Sequence, residues 1–243
     1  MVMNHMFQFV KQVSGKLNVG PYSGTSGQTD PNKVAYLRNL QRELKKKEVL
    51  EIPFHQLEVV VFDMETTGFF PYKGDKILSI GAVKVKGEQL LEEESFYSMI
   101  HHDSSLSTEI KGLTGLTNDQ LNEAPPLQVV LREFYQFVKS DLLVAHHAGH
   151  EKQFMKHATW MSMKTGFQHR IVDTSFLMKV INPQTQLVTL DSCCDYYGIT
   201  IEKRHHALHD AIATAKLWTE CVRSIQGLGF ENLKDVYTQL AKL

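Results

Sequence analysis

Two acids one residue apart, Asp63 and Glu65, follow the β-branched and aromatic run Val59, Val60, Val61 and Phe62 and precede Thr66, Thr67 and Gly68. If the chain stays extended through Met64, residues i and i+2 share a face and two carboxylates stand side by side. Anions that close repel one another unless a cation lies between them or one holds a proton. Their hard oxygens suit Mg²⁺ or Mn²⁺. An isolated Asp-x-Glu is more often the acidic end of a fraying strand, so the chemistry requires further ligands from elsewhere in the chain.

Distant segments offer them. Glu151 follows the apolar run Leu142, Leu143, Val144, Ala145, and Asp210 opens an amphipathic stretch with His205 five residues before it. Four carboxylates and a histidine make a two-metal hydrolytic site, with two cations about 3.5–4 Å apart clamping the attacking and leaving oxygens of a displacement at phosphorus. A neutral histidine, with an unperturbed pKa of about 6.5, can take the proton of the attacking water near neutral pH.

The elements that must position these groups follow from periodicity. After the Asp63 strand, residues 76–86 and 94–101 are strand-like, with a tight turn at Lys86-Gly87-Glu88, so three strands form an antiparallel meander. Thr117-Asn118-Asp119-Gln120 matches a capping box. Leu127, Val130, Leu131, Phe134, Phe137 and Val138 describe a helix with one apolar face. Residues 142–145 form a short buried strand, followed by a helix through Phe154 and Met155, then a strand over 170–173. Ala211, Ala215, Trp218, Val222 and Ile225 share the face of a last clear helix. The order β-β-β-α-β-α-β-α gives a mixed sheet flanked by helices, with acids at strand ends and helix starts converging on one edge.

Residues 1–55 read as a partly helical N-terminal extension. Met6, Phe9, Val10, Val13 and Leu17 recur at helical spacing, residues 20–28 are rich in Gly, Ser and Thr, and Asp30-Pro31 begins a second helix carrying Leu37, Leu40 and Leu44. The basic run at 45–47 reads first as a solvated helix end. Residues 56–226 form the main domain, and 227–243 a C-terminal helix with Leu233, Val236, Tyr237 and Leu240, able to cap the core or dock a partner.

Composition excludes several classes. In 243 residues, 26 basic and 27 acidic side chains leave a net charge of −1, so nothing global signals a nucleic-acid or membrane surface. A nucleic-acid enzyme would have to concentrate positive charge locally or borrow it from cations. The three cysteines lack zinc-ligand spacing and their odd number argues against a disulfide framework, which points to a reducing, cytoplasmic setting. Cys193 and Cys194 precede Tyr196-Tyr197-Gly198 in what reads as a helix ending at glycine, as packing residues. No apolar run reaches membrane-spanning length.

Three segments together carry a resemblance. Phe62-Asp63-Met64-Glu65-Thr66-Thr67-Gly68, Ala145-His146-His147-Ala148-Gly149-His150-Glu151 and His205-His206-Ala207-Leu208-His209-Asp210-Ala211 resemble the three motifs of the DEDDh 3′-5′ exonucleases, the superfamily of the proofreading epsilon subunit of bacterial DNA polymerase III. Thr114-Gly115-Leu116-Thr117 and Val172-Asp173-Thr174 are similar to its connecting segments, and the likeness covers roughly residues 57–225. It implies a ribonuclease H-like α/β fold and Asp63, Glu65 and Asp210 as metal ligands, with Asp63 bridging two cations. It also implies His205 as general base, Thr66 and Thr67 beside the terminal nucleotide, and Leu113 or Leu116 as a wedge against the last base. The second motif departs from the family, which has Asn at His147, an aromatic or apolar residue at His150 and Asp at Glu151. Glu151 keeps the charge on one extra methylene, so as a fourth ligand it would hold its cation at a shifted position.

The expected activity is therefore metal-dependent removal of nucleoside 5′-monophosphates from a nucleic-acid 3′ end, single-stranded DNA favoured, in replication proofreading or repair and with a DNA polymerase as a possible partner. An RNA-trimming enzyme of the same superfamily is the alternative within the enzyme class. A nucleic-acid-binding or polymerase-docking module with an impaired site is the alternative outside it. His146 and His150 sit at zinc-like spacing, but no cysteine supports them, so they read with His147, His206 and His209 as polar neighbours of the acids. His209-Asp210 mimics the pair of HD-domain phosphohydrolases, an all-helical fold that the β-rich segment after Val59 argues against. Phe134, Phe137 and Trp218 have core spacing, and no separate aromatic row marks a base-stacking platform.

Overall fold

The computed structural model describes residues 49–242. The expectations for residues 1–48, including both N-terminal helices and the basic run at 45–47, lie outside the described residues.

Strand β1 (Glu58–Thr66) stays extended through both acids. It pairs antiparallel with β2 (Ile77–Lys86), which pairs antiparallel with β3 (Gln89–Met99). Gly87 takes a positive φ of 59° in the two-residue link between β2 and β3, where the turn was expected. On its other side β1 pairs parallel with β4 (Leu142–Ala145), and β4 with β5 (Ile171–Asp173). The sheet order is β3-β2-β1-β4-β5. The meander and the mixed sheet are as the sequence predicts.

Alternation along β1 sorts its side chains onto two faces. Val60, Phe62 and Met64 pack with α3 (Leu127–Val138) and α4 (Gly149–Met163). Val59 and Val61 pack on the other face with α5 (Thr174–Ile181), α6 (Leu190–Tyr197), α7 (Ala207–Gly227) and α8 (Leu233–Leu240). Asp63 and Glu65 continue the second series, so the period of two aims both toward α7. Trp218 on α7 is 1% exposed at the centre of that layer, where truncation to alanine costs about 3–5 kcal/mol.

Between β3 and α3 lie two short helices, α1 (Thr108–Thr114) and α2 (Asn118–Glu123). The capping box at Thr117 and Gln120 is present and heads α2. Ala124, Pro125 and Pro126 separate α2 from α3, and the restricted backbone before and at proline ends one helix and starts the next. Helix α6 ends at Gly198 with φ 68°, and Cys193 and Cys194 are buried core residues, as expected.

The core extends beyond 56–226. Val49 and Phe54 share the α7-side core with Leu233, Val236 and Leu240. Pro53 bridges Asn232, the Phe54 amide donates to the Glu231 carbonyl, and Lys234 pairs with Glu51 at 2.6 Å. Helix α8 thus caps the chain's own core. Among the described residues no helix is long and apolar enough to cross a membrane.

Candidate active site

Gly81 sets how closely the acids can approach. It lies opposite Asp63 in the β1–β2 ladder, and a Cβ there would stand 2.2 Å from the backbone of Ala207 and Leu208 at the start of α7. Only glycine lets the first turn of α7 settle onto the sheet beside Asp63. That turn carries Asp210, which is 2% exposed.

One ligand atom each from Glu65, His205 and Asp210 lies within 4.8 Å of the others, a group able to hold a metal ion. His205 is half-buried in a left-handed backbone, φ 57°, a conformation costing a non-glycine residue about 1–3 kcal/mol. Its amide donates to Asp210 Oδ2 at 2.9 Å, which ties the turn to the acid and brings the imidazole beside the carboxylates. Glu151, in the first turn of α4, is 4% exposed, and its Oε2 has no hydrogen-bond partner; nor does Asp210 Oδ1. A buried carboxylate oxygen without a partner is a donor a hard divalent cation requires, so Glu65, His205 and Asp210 fit one, whereas Asp63 and Glu151 are not in the group drawn within that distance.

The charges confirm the crowding. Burial first, then the charges of Glu151, Glu65 and Asp210, raise the Asp63 pKa well above the usual carboxylate range, with Arg204 opposing. Glu65 is pushed up to about 7 by burial and then by Asp210, again against Arg204. Glu151 is pushed up to about 8, chiefly by burial, with a smaller upward push from Asp173.

Arg204 escaped the sequence reading. Its Nη1 donates to Asp210 Oδ2 at 2.6 Å, while Nε and Nη2 grip both oxygens of Asp191 at 2.6 and 3.1 Å. This bidentate clamp fixes a guanidinium beside the acids as a resident counter-charge. Nothing in the sequence links Asp191, on α6, to Arg204. Asp173 was also missed as an organiser: its carboxylate accepts the amides of His147, Ala148 and Ser175, so it caps α5 and holds the loop before α4 in place. That loop includes His147 at φ 58°.

The remaining expected residues are placed as follows. Thr66 is half-buried, its hydroxyl donating to the Gly68 carbonyl at 2.7 Å and lying 3.4 Å from His150 Nε2. Thr67 accepts the Lys76 amide and donates to Asp75. Leu113 is 47% exposed, whereas Leu116 is packed with Leu78, Leu106 and Leu121. Leu116 is therefore a core residue, and of the two only Leu113 is exposed. His146 engages Thr174 through Nδ1 and the Val188 carbonyl through Nε2, at 2.7 and 2.9 Å. Both of its ring nitrogens are thus engaged within the protein.

Comparison with known proteins gives a consistent placement. Residues 60–218 match the RNase_T family model, described as exonuclease. A PolC-type DNA polymerase III of Staphylococcus saprophyticus is 32% identical over 75% of this chain, and a DNA polymerase III subunit epsilon-like protein of Rhodobacter capsulatus is 31% identical over 79%. The chain spans only 12% and 27% of the lengths of these two relatives. Among solved structures, the nuclease domain of 3′hExo, a DEDDh family member bound to rAMP, superposes with a TM-score of 0.62 at 19% identity, over 72% of this chain and 95% of that one. Exonuclease I of E. coli in complex with a dT13 oligonucleotide gives 0.60 at 14% identity, over 71% and 42%. These likenesses carry the ribonuclease H-like fold.

Proposed function

Because the chain belongs to the RNase_T exonuclease family, whose model matches it over residues 60–218, we propose that it is a metal-dependent 3′-5′ exonuclease that releases nucleoside 5′-monophosphates, with DNA the favoured substrate. The observation that carries this reading is the convergence of Glu65, His205 and Asp210 within 4.8 Å.

Asp63, Glu65, Asp210 and Glu151 would hold two divalent cations, Mg²⁺ or Mn²⁺. When bound, these supply Lewis-acid stabilisation of charge developing on the phosphoryl oxygens. An imidazole nitrogen of His205 accepts the proton of the attacking water, and the tie from the His205 amide to Asp210 keeps the ring in register with the acids. Thr66 and Thr67, stapled to the turn after β1, line the approach of the terminal nucleotide, and Leu113 offers an apolar surface to its base. DNA is favoured because the relatives at 31–32% identity are DNA polymerase III proteins, which also motivates a polymerase as partner.

Incubation of 5′-labelled oligonucleotides of DNA and of RNA with Mg²⁺, Mn²⁺ or EDTA tests the reading. Metal-dependent shortening from the 3′ end, faster on DNA and lost in Asp63→Ala and Asp210→Ala variants that keep the wild-type circular dichroism, is the expected outcome. Binding without shortening would instead indicate a docking module, and faster shortening of RNA would move the substrate assignment.

A further inference from the structure

The loop after β1 is closed by its own hydrogen bonds, and it displays rings to water. The Thr67 amide donates to the Lys76 carbonyl, the Phe70 amide to Asp75 Oδ2, and the Asp75 and Lys73 amides to the Phe70 carbonyl. Gly68 permits this closure, since a Cβ there would meet the Asp75 carboxylate at 2.5 Å. On this stapled frame Phe69, Phe70 and Tyr72 are 74%, 57% and 66% exposed. Of the nine large apolar side chains exposed among the described residues, these three and two on α4, Trp160 and Met161, gather on two segments. Tyr72 joins the segments by an edge contact with His157 of α4, ring centroids 5.2 Å apart.

The patch continues from the active site. Thr66, next to Glu65, reaches His150, and the His150 ring contacts Phe69. His150 and His157 are two helical turns apart, and Trp160 is one turn further, so α4 carries a line of rings away from Glu151. From Glu151 to Trp160 is about 14 Å along the axis, the length of about four stacked bases. Cations border it: Lys73 Nζ lies 4.7 Å from the centre of the Phe70 ring, and exposed Lys156 is one turn before Trp160. Planar π surfaces flanked by lysines suit a single strand of nucleic acid, whose bases stack while its phosphates meet ammonium groups.

We infer that Phe70, Tyr72 and Trp160, with Lys73 and Lys156, form a platform that stacks the bases on the 5′ side of the nucleotide being removed. This deepens the exonuclease reading and rests on it. The sequence shows no aromatic row because the platform is assembled from a loop and a helix some 90 residues apart, whose rings align only after α4 packs on the sheet.

Anisotropy of labelled oligodeoxynucleotides of two to eight residues, with the full chain in EDTA, tests the platform without turnover. Wild-type affinity should rise with length up to about five nucleotides and then level off. Tyr72→Leu and Trp160→Leu, which keep apolar bulk but lose the ring, should each weaken binding of the longer oligonucleotides about fivefold while scarcely changing the dinucleotide. Trp160→Phe, which restores a ring at the same place, should recover most of the loss and so excludes misfolding. Equal length dependence in wild type and the leucine variants would overturn the platform, whatever the nuclease activity. Absence of metal-dependent shortening in wild type would instead overturn the exonuclease reading, and the two failures are read in separate assays.

Discussion

Replacing Glu151 by glutamine should stabilise the cation-free protein, by an amount set by pH. The carboxyl is 4% exposed, one of its oxygens has no partner, and its pKa is pushed from 4.5 to about 8. Below pH 4.5 folded and unfolded chains both hold this proton, and the group has no effect on the equilibrium. Between 4.5 and 8 the folded chain keeps a proton that the unfolded chain has lost, so stability falls as pH rises, and above 8 the whole penalty is present. At 1.36 kcal/mol per pK unit the penalty is about 1 kcal/mol at pH 5, about 3 at pH 7 and about 4 at pH 8. Glutamine is neutral throughout and nearly the same shape as the protonated acid. At roughly 2–4 °C per kcal/mol for a domain of this size, the melting temperature of Glu151→Gln in EDTA should exceed that of wild type by about 2 °C at pH 5 and by about 10 °C at pH 8. Saturating Mn²⁺ should close the gap, because a cation offsets the wild-type carboxylate and has less to gain from the amide. A melting-temperature difference that stayed constant with pH, or a variant less stable than wild type at pH 8, would refute a buried, uncompensated charge at this position.

Two further outcomes follow from the same site. Arg204→Met removes the guanidinium 2.6 Å from buried Asp210, and with Arg204 itself one-third exposed the loss in EDTA should be about 2 kcal/mol, less than the cost of breaking a fully buried pair. Thermal melts should show a fall of roughly 4–8 °C that Mn²⁺ largely restores; a loss insensitive to the cation would mean that Arg204 serves packing alone. Gly81→Ala drives a methyl into the backbone of Ala207 and Leu208, which must lift α7 and Asp210 from β1. A cost of about 3 kcal/mol with a roughly 100-fold slower shortening rate is expected, and unchanged kinetics would show that the spacing of Asp63 and Asp210 is not set there.

The strands and most helices were legible because their apolar residues repeat at periods of two or 3.6. The three acidic segments were legible because each carries its residue types at fixed spacing. The convergence of Glu65, His205 and Asp210 is the part of the site that the structure itself supplies, since it depends on how α7 lies on the sheet. Helix α1 was missed because Thr108–Thr114 is seven residues long and includes Gly112, too short to establish a period. The capping box was legible because Thr117 and Gln120 stand at its fixed spacing. The links from Arg204 to Asp191, from Asp173 to the amides of His147 and Ala148, and from Gly81 to the start of α7 span 13, 25–26 and more than 120 positions, and local pattern holds no trace of such pairings. Val49 and Phe54 join the core as single apolar residues without a repeat around them, so no pattern announces them.

Residues 51–54, ahead of β1, and 231–234, where α8 begins, are laced together by a β-bridge, a backbone hydrogen bond and an ion pair. Because Phe54 and the apolar face of α8 also share one core, α8 cannot lift away without unseating the stretch ahead of β1, and the first and last parts of this layer hold each other shut.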